Sequence, residues 1–119
     1  MPARLSLIAT VGIAAAVLFS ACSSHARPGG DRVASAEAHT LVANGATLLD
    51  VRTPGEFSSG HIDGALNISV DELEAHLAEV PRGKPVVVYC QSGARAATAT
   101  ALLRANGYDA RSLGGISAW

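Results

Sequence analysis

The apolar run VVVYC, Val86–Cys90, is the feature that most constrains the fold of this 119-residue chain. It is rich in β-branched residues and does not alternate with polar residues, which is typical of a strand covered on both faces in a parallel sheet. The run LLDV at residues 48–51 has the same character. Residues 65–68 and 110–113 are weaker strand candidates, and Val33 is a candidate for a short first strand.

Helical segments separate these strands. The first, Ser35–Ala43, begins with a predicted N-cap serine and stops at an Asn-Gly pair. The second spans residues 70–78, behind a predicted capping box of Ser69 and Glu72. The third, Ala94–Ala105, is rich in alanine, which permits a close approach to the sheet. Strands that alternate with helices predict an α/β fold with a small, mostly parallel central sheet and helices on both faces.

The N-terminal segment predicts export of the chain. Arg4 is followed by residues 5–24, which contain no charge and end in small residues, as in a secretory signal. The apolar stretch is marginal for a membrane-spanning helix, which needs about 20 apolar residues. We therefore predict a signal peptide at residues 1–21.

The end of this segment, Phe19-Ser20-Ala21-Cys22, resembles the signal of bacterial lipoproteins, in which a cysteine after small residues is lipidated. Phe19 stands where that signal usually has an aliphatic residue. The resemblance implies lipidation of Cys22 and a protein held on the outside of the cell membrane, in the periplasm or at the cell surface. An ordinary cleaved signal peptide and an uncleaved anchor are the alternatives, and all three export the remaining residues.

A polar stretch with Gly and Pro follows Cys22 and predicts a flexible tether over residues 22–30. Residues 31–119 then form one folded domain. Nothing else in the chain has the pattern of a membrane-binding segment, so the lipid is the only predicted contact with the membrane.

Charge and motif content exclude several classes of function. Nine basic and ten acidic residues give a net charge of −1, and no basic cluster is present that could follow a nucleic-acid backbone. His25, His39 and His76 lack metal-ligand spacing with each other and with Cys90. No dinucleotide fingerprint or phosphate loop occurs. The sequence therefore predicts no metal, no cofactor and no nucleic-acid partner.

Cys90 ends the most hydrophobic strand, and ligands of open α/β sheets collect at the carboxyl ends of the strands. The Ser92-Gly93 turn and a helix come next, and this arrangement directs backbone N–H groups and a helix N-terminus at the thiol. Arg95 adds a fixed positive charge, and all of these stabilise a thiolate. The pattern indicates a nucleophilic cysteine; the alternative is a buried structural cysteine beside an ordinary strand–helix turn.

Three motifs occur in order along the domain: DVRTPGEFSSGHIDGALNI at residues 50–68, CQSGAR at residues 90–95 and GGISAW at residues 114–119. In order and spacing they resemble the motifs of the rhodanese family, and the match covers nearly everything from Val33 onward. Members of that family usually continue for some residues beyond the tryptophan at which this chain stops. The resemblance implies a single rhodanese-like domain.

The resemblance also implies a sulfurtransferase without a cofactor. Cys90 is then the nucleophile that takes the outer sulfur from a small anionic donor such as thiosulfate, or from a persulfide, and an acceptor thiol or cyanide removes it. Arg95 is expected to bind the sulfonate end of the donor. The persulfide's negative sulfur is expected to lie in a cradle formed by the loop residues Gln91, Ser92, Gly93, Ala94 and Arg95.

The remaining charged residues of the first motif are interpreted as structural. Asp50, Arg52 and Glu56 are expected to pair or hydrogen-bond near the ends of one strand and loop. His61, between a glycine and an isoleucine, is expected to be a packed, hydrogen-bonded histidine rather than a base.

Other functions of related folds fit less well. Four residues separate Cys90 from Arg95, whereas the related phosphatases have five, so the shorter loop suits sulfur better than a tetrahedral phosphate. Arsenate reduction is disfavoured with the phosphatases. The alternative outside sulfur transfer is a non-catalytic binding module or a thiol-redox module that uses Cys90.

Overall fold

The computed structural model describes residues 31–119. The predicted signal peptide at residues 1–21 and the tether at residues 22–30, including Cys22, lie outside this part of the chain and stay predictions. No helix within the described part has both the length and the hydrophobicity needed to cross a membrane.

Four strands form one sheet in which every pairing is parallel. They are β1 (Thr47–Asp50), β2 (Leu66–Asn67), β3 (Val86–Cys90) and β4 (Ala110–Gly115), and their order across the sheet is β2-β1-β3-β4. The bounds of β3 are those predicted. The predicted strand at Val33 is reduced to a bridge between Arg32 and Ser112, next to which the Val33 N–H donates to the Ser112 carbonyl at 2.9 Å.

The side chains of β3 divide the core into two clusters, because alternate residues of a strand point to opposite faces. Val86, Val88 and Cys90 belong to the first cluster, whereas Val87 and Tyr89 belong to the second. All five are fully buried. The continuous apolar run is therefore explained by burial on both faces of a central strand.

Three α-helices flank this sheet: α1 (Ser35–Ala43), α2 (Pro54–Ser58) and α3 (Ala94–Ala105). Helix α3 covers the first cluster, and α1 contributes Ala38 to the second. The prediction of helices on both faces is thereby confirmed, as are the bounds of α1 and α3. The predicted N-cap of α1 is wrong, because the cap is Ala34, which makes no side-chain cap bond; the Ser35 hydroxyl instead donates to the Trp119 carbonyl at 2.9 Å.

The predicted α-helix over residues 70–78 is also wrong. The chain makes a turn there and then a 3₁₀-helix, Glu74–Glu79, interrupted at His76, where φ is −117°. Leu73 is completely buried, and the Tyr108 hydroxyl lies 2.8 Å from the Leu77 carbonyl oxygen and 2.9 Å from that of Val80. These tertiary contacts override the capping signal, because a Ser–x–x–Glu pattern is only a local preference.

The capping box that does form was not predicted. It joins Thr53 and Glu56 and opens α2, where the Glu56 N–H donates to Thr53 Oγ1 at 3.2 Å and the Thr53 N–H donates to Glu56 Oε1 at 3.3 Å. Pro54 occupies the first helical turn, where its missing N–H costs nothing. This short helix places Glu56 next to the loop that follows β3.

Candidate active site

Cys90 lies at the carboxyl end of β3, at the base of the loop that leads into α3. The residue is fully buried, and its Sγ accepts a hydrogen bond from the Gly93 N–H at 3.0 Å. Gly93 has φ of +111°, a left-handed conformation that glycine adopts without strain. The loop thus turns back, and its backbone N–H at Gly93 donates to the sulfur.

Other backbone N–H groups of the same loop lack a protein acceptor among the described residues. Those of Ser92, Ala94 and Arg95 donate to no backbone or side-chain acceptor in residues 31–119. Ala94 and Arg95 open α3, whose first N–H groups have no partner within the helix. The loop therefore brings one donor, the Gly93 N–H, to the sulfur, and the unpaired N–H groups beside it are of the kind that suits an anion. The cradle of Gln91, Ser92, Gly93, Ala94 and Arg95 stays a prediction.

The floor of the loop is built by Gly114 and Gly115 at the end of β4. A Cβ at Gly115 would lie 2.8 Å from the carbonyl oxygen of Gln91, so no side chain fits beneath the loop. The pairing of β4 with β3 skips Leu113, since Val88 pairs with Ser112 and Tyr89 with Gly114. Both glycines belong to the motif GGISAW, but the sequence predicted no structural role for them.

A buried ion pair supports the loop from the side of β1. Arg52 Nε donates to both Asp50 carboxylate oxygens at 3.1 Å, and its Nη2 donates to Asp50 Oδ2 at 2.7 Å. The other terminal nitrogen, Nη1, donates to Gln91 Oε1 at 3.3 Å, and Nη2 also donates to the Gly60 carbonyl at 2.7 Å. The hydrogen bond to Asp50 is the main cause that raises the pKa of Arg52 above its usual value.

A second, half-exposed pair joins α2 to the start of α3. Arg95 Nη1 and Nη2 donate to Glu56 Oε1 and Oε2 at 2.6 and 2.9 Å, in a bidentate arrangement. The bond from Arg95 is the largest cause that lowers the pKa of Glu56 to about 2. Asp50 and Arg52 thus pair as expected, whereas Glu56 pairs across 39 residues with the arginine predicted to bind the donor. That predicted role requires this pair to open.

Two further side chains, one in the first motif and one in β3, make structural contacts. The His61 ring stacks on Phe57 with centroids 3.7 Å apart, and its Nδ1 lies 2.9 Å from the Phe57 carbonyl oxygen. Tyr89 accepts a hydrogen bond from the Ile62 N–H at 3.2 Å, and burial raises its pKa to about 12. Within residues 31–119, no group of three or more His, Cys, Asp and Glu side chains could hold a metal ion.

A groove of about 360 Å³ opens beside the loop. Its lining consists of Val70, Asp71, Ala94, Arg95 and Thr98. Arg95 is the one cation in this lining, and it is already engaged by Glu56. The groove is therefore a mixed apolar and polar surface beside the loop, with its guanidinium already paired.

A family model and several known proteins are similar to this chain. The family model described as "Rhodanese-like domain" matches residues 34–119. The chain is 42% identical over 78 residues to the uncharacterized protein YqhL of Bacillus subtilis, covering 62% of this chain and 60% of that one. It is 43% identical over 75 residues to a protein of Allochromatium vinosum named sulfurtransferase, covering 60% of this chain and 69% of that one.

A solved structure is similar as well. The human single-domain sulfurtransferase TSTD1 superposes with a TM-score of 0.62 at 36% identity, covering 75% of this chain and 91% of that one. By contrast, the match to the Bacillus subtilis relative spans less than two thirds of that protein's length.

We predict that Gly115→Ala destabilises the domain by about 1–3 kcal/mol, because the added methyl group forces the Gln91 carbonyl and the loop to move. Gly55→Ala in α2 is the matched control, since no atom would lie within 4 Å of the methyl group added there. Urea denaturation measures the free energy of unfolding of both variants and of the unsubstituted protein. Equal unfolding free energies for Gly115→Ala and the unsubstituted protein would contradict this account of the loop floor.

We predict that the Glu56–Arg95 pair makes stability depend on pH. The pKa of Glu56 falls from 4.5 to about 2 on folding, so the pair stabilises the domain above pH 4.5 and loses this contribution as the pH falls towards 2. The unfolding free energies of Glu56→Gln and the unsubstituted protein should differ at neutral pH and converge over that interval. The same comparison in an Arg95→Gln background is the control, because without the guanidinium Glu56→Gln should change the unfolding free energy much less at neutral pH.

Proposed function

This chain belongs to the rhodanese-like domain family, and we propose that it is a sulfurtransferase that carries sulfane sulfur on Cys90. The donor is thiosulfate or a persulfide, and the acceptor is a thiol or cyanide. The observation that carries the proposal is the position of Cys90 Sγ, which accepts from the Gly93 N–H inside a loop with further free N–H groups.

In the first half-reaction the Cys90 thiolate attacks the outer sulfur of the donor. With thiosulfate, the S–S bond of the donor breaks, its electron pair leaves with sulfite, and Cys90 keeps the sulfur as a persulfide. The negative outer sulfur of that persulfide then accepts from the loop N–H groups, among them those of Ser92 and Ala94. Fixed backbone donors need no reorganisation when this charge arrives.

In the second half-reaction the acceptor attacks the outer sulfur of the persulfide. The S–S bond breaks towards Cys90, the thiolate is restored, and thiocyanate or a new persulfide leaves. Because the enzyme holds the sulfur between the two halves, ping-pong kinetics are expected. Since Cys90 is fully buried before the donor arrives, the atoms that cover its sulfur must move in the first half-reaction.

Arg95 is proposed to bind the sulfonate end of an anionic donor. Its position at the start of α3, directly after the loop, supports this role. The hydrogen bond with Glu56 is the main cause that raises the pKa of Arg95, and a smaller contribution comes from the Cys90 charge. Its bidentate bond to Glu56 must then be exchanged for one to the donor. Gln91 is proposed to keep the loop in place through its contact with Arg52.

We also propose that the protein acts outside the cytoplasm and is held on the membrane by lipid on Cys22. The uncharged residues 5–24 and the small residues before Cys22 support this location. The tether at residues 22–30 would leave the catalytic domain free in the periplasm or at the cell surface. Contact with the membrane would be through the lipid alone.

The alternative function is a binding or thiol-redox module without sulfur transfer. Complete burial of Cys90 is the observation that favours it, since buried free cysteines are usually inert. The two functions differ in whether Cys90 gains a sulfur atom from a donor, so one experiment separates them.

We predict that incubation with thiosulfate adds one sulfur atom to the protein, that cyanide removes it, and that Cys90→Ser abolishes both changes without unfolding the domain. Intact-protein mass spectrometry measures the adduct, and the thermal midpoint of Cys90→Ser reports on folding. No adduct in a folded, reduced sample would favour the binding or redox module.

We predict that cells fed an alkyne-tagged fatty acid label the protein, and that Cys22→Ser loses the label. Cys90→Ser is the matched control, because it removes the other cysteine of the chain and should retain the label. Click labelling of the immunoprecipitated protein provides the readout. An unlabelled protein that still reaches the exterior would indicate an ordinary signal peptide or an uncleaved anchor.

A further inference from the structure

The bidentate pair of Arg95 and Glu56 stands beside the loop that holds Cys90. Each side chain is 34% exposed, so the pair borders both the interior and the solvent. Both terminal nitrogens of Arg95 are used, and both oxygens of Glu56 accept. The guanidinium at the end of the Cys90 loop is therefore already paired with a carboxylate.

Other charges at the site do not compensate for this neutralisation. The guanidinium of Arg52 is 4% exposed and is paired with Asp50, which is completely buried. The groove beside the loop adds the exposed carboxylate of Asp71 and otherwise presents Val70, Ala94 and Thr98 next to Arg95. Carboxylates thus outnumber guanidinium groups around the loop and groove.

The excess of carboxylates over guanidinium groups affects how well the site accepts a negatively charged donor. Thiosulfate is a dianion whose sulfonate end needs a cation, and the attacking thiolate is itself negative. Near the surface of a protein, an additional carboxylate several ångströms away repels a dianion about twice as strongly as it repels a monoanion. An organic persulfide, R–S–SH, carries no sulfonate, and its carbon part can lie along Val70 and Ala94.

We propose that Glu56 is a specificity-determining residue that disfavours dianionic donors and leaves the site to organic persulfides. This inference rests on the proposed sulfur transfer through Cys90. In the favoured reaction the Cys90 thiolate attacks the outer sulfur of R–S–SH and the S–S bond of the donor breaks. The electron pair leaves as R–S⁻, and Cys90–S–SH retains the proton.

The variant Glu56→Gln tests this proposal with little disturbance of the fold. A glutamine can still form a capping box with Thr53 and can accept one bond from Arg95, but it carries no charge. The purified protein is loaded for measured times with thiosulfate or with freshly generated cysteine persulfide, and the fraction of Cys90 that has gained sulfur is read by intact mass. Glu72→Gln makes the same chemical change at an exposed carboxylate paired with His76.

We expect Glu56→Gln to raise the ratio of the thiosulfate rate to the persulfide rate by about tenfold. Glu72→Gln should leave this ratio unchanged. A purely structural role predicts no dependence on salt, whereas charge repulsion is screened by it. Raising the ionic strength should therefore increase the ratio in the unsubstituted protein and have a smaller effect in Glu56→Gln.

The outcomes separate this inference from the proposed function. If both donors load Cys90 but Glu56→Gln changes their rates by the same factor, or lowers the ratio, Glu56 does not select the donor. A salt-independent ratio in the unsubstituted protein leads to the same conclusion even if Glu56→Gln fails to fold. If neither donor loads Cys90 in the unsubstituted protein, sulfur transfer itself is wrong, and donor selection falls with it.

Discussion

The buried pair of Asp50 and Arg52 is the interaction on which the arrangement of the site depends. Asp50 ends β1, and Arg52 reaches from there to Gln91 in the loop and to the carbonyl of Gly60. Asn67 of β2 adds bonds of 3.0 Å from its amide nitrogen to the carbonyl oxygens of Asp50 and Arg52. A buried charge left without its partner is strongly destabilising. Loss of either Asp50 or Arg52 would therefore disrupt the connection between the two strands and the loop.

The two guanidinium–carboxylate pairs near Cys90 differ in what surrounds them. The pair of Arg52 and Asp50 is sealed from solvent, whereas that of Arg95 and Glu56 is half-exposed. Exposed pairs exchange partners readily because water and salt stabilise the separated charges. One side of the loop is therefore held firmly, and the other side is held by a contact that a substrate can replace.

Much of the fold could be predicted from local sequence pattern. The run at β3 and the alanine-rich α3 have unambiguous patterns and clear boundaries, and the position of Cys90 between them follows directly. The turn and 3₁₀-helix in place of the predicted helix over residues 70–78 depend on Leu73 and Tyr108, which act through tertiary packing. Helix α2 has only five residues, too few for a periodic signal.

Part of the candidate site could also be predicted from the sequence. The carboxyl end of a parallel strand and the glycine turn point to the cysteine and its cradle. The partner of Arg95 could not be identified in the same way, because a contact across 39 residues depends on how α2 docks against the loop. The sequence therefore predicts contacts of Glu56 with its neighbours Asp50 and Arg52, whereas its carboxylate pairs with Arg95 of α3.

The extra residue in β4 has a consequence for how such a site can change over evolutionary time. Leu113 is skipped in the pairing with β3 and packs in the second core cluster, after which glycines occupy the positions beneath the loop. The loss of one residue here would move Ile116 into the position of Gly115, where a Cβ would lie 2.8 Å from the Gln91 carbonyl oxygen. A deletion in β4 would therefore disturb the loop even if every residue of the loop itself stayed the same.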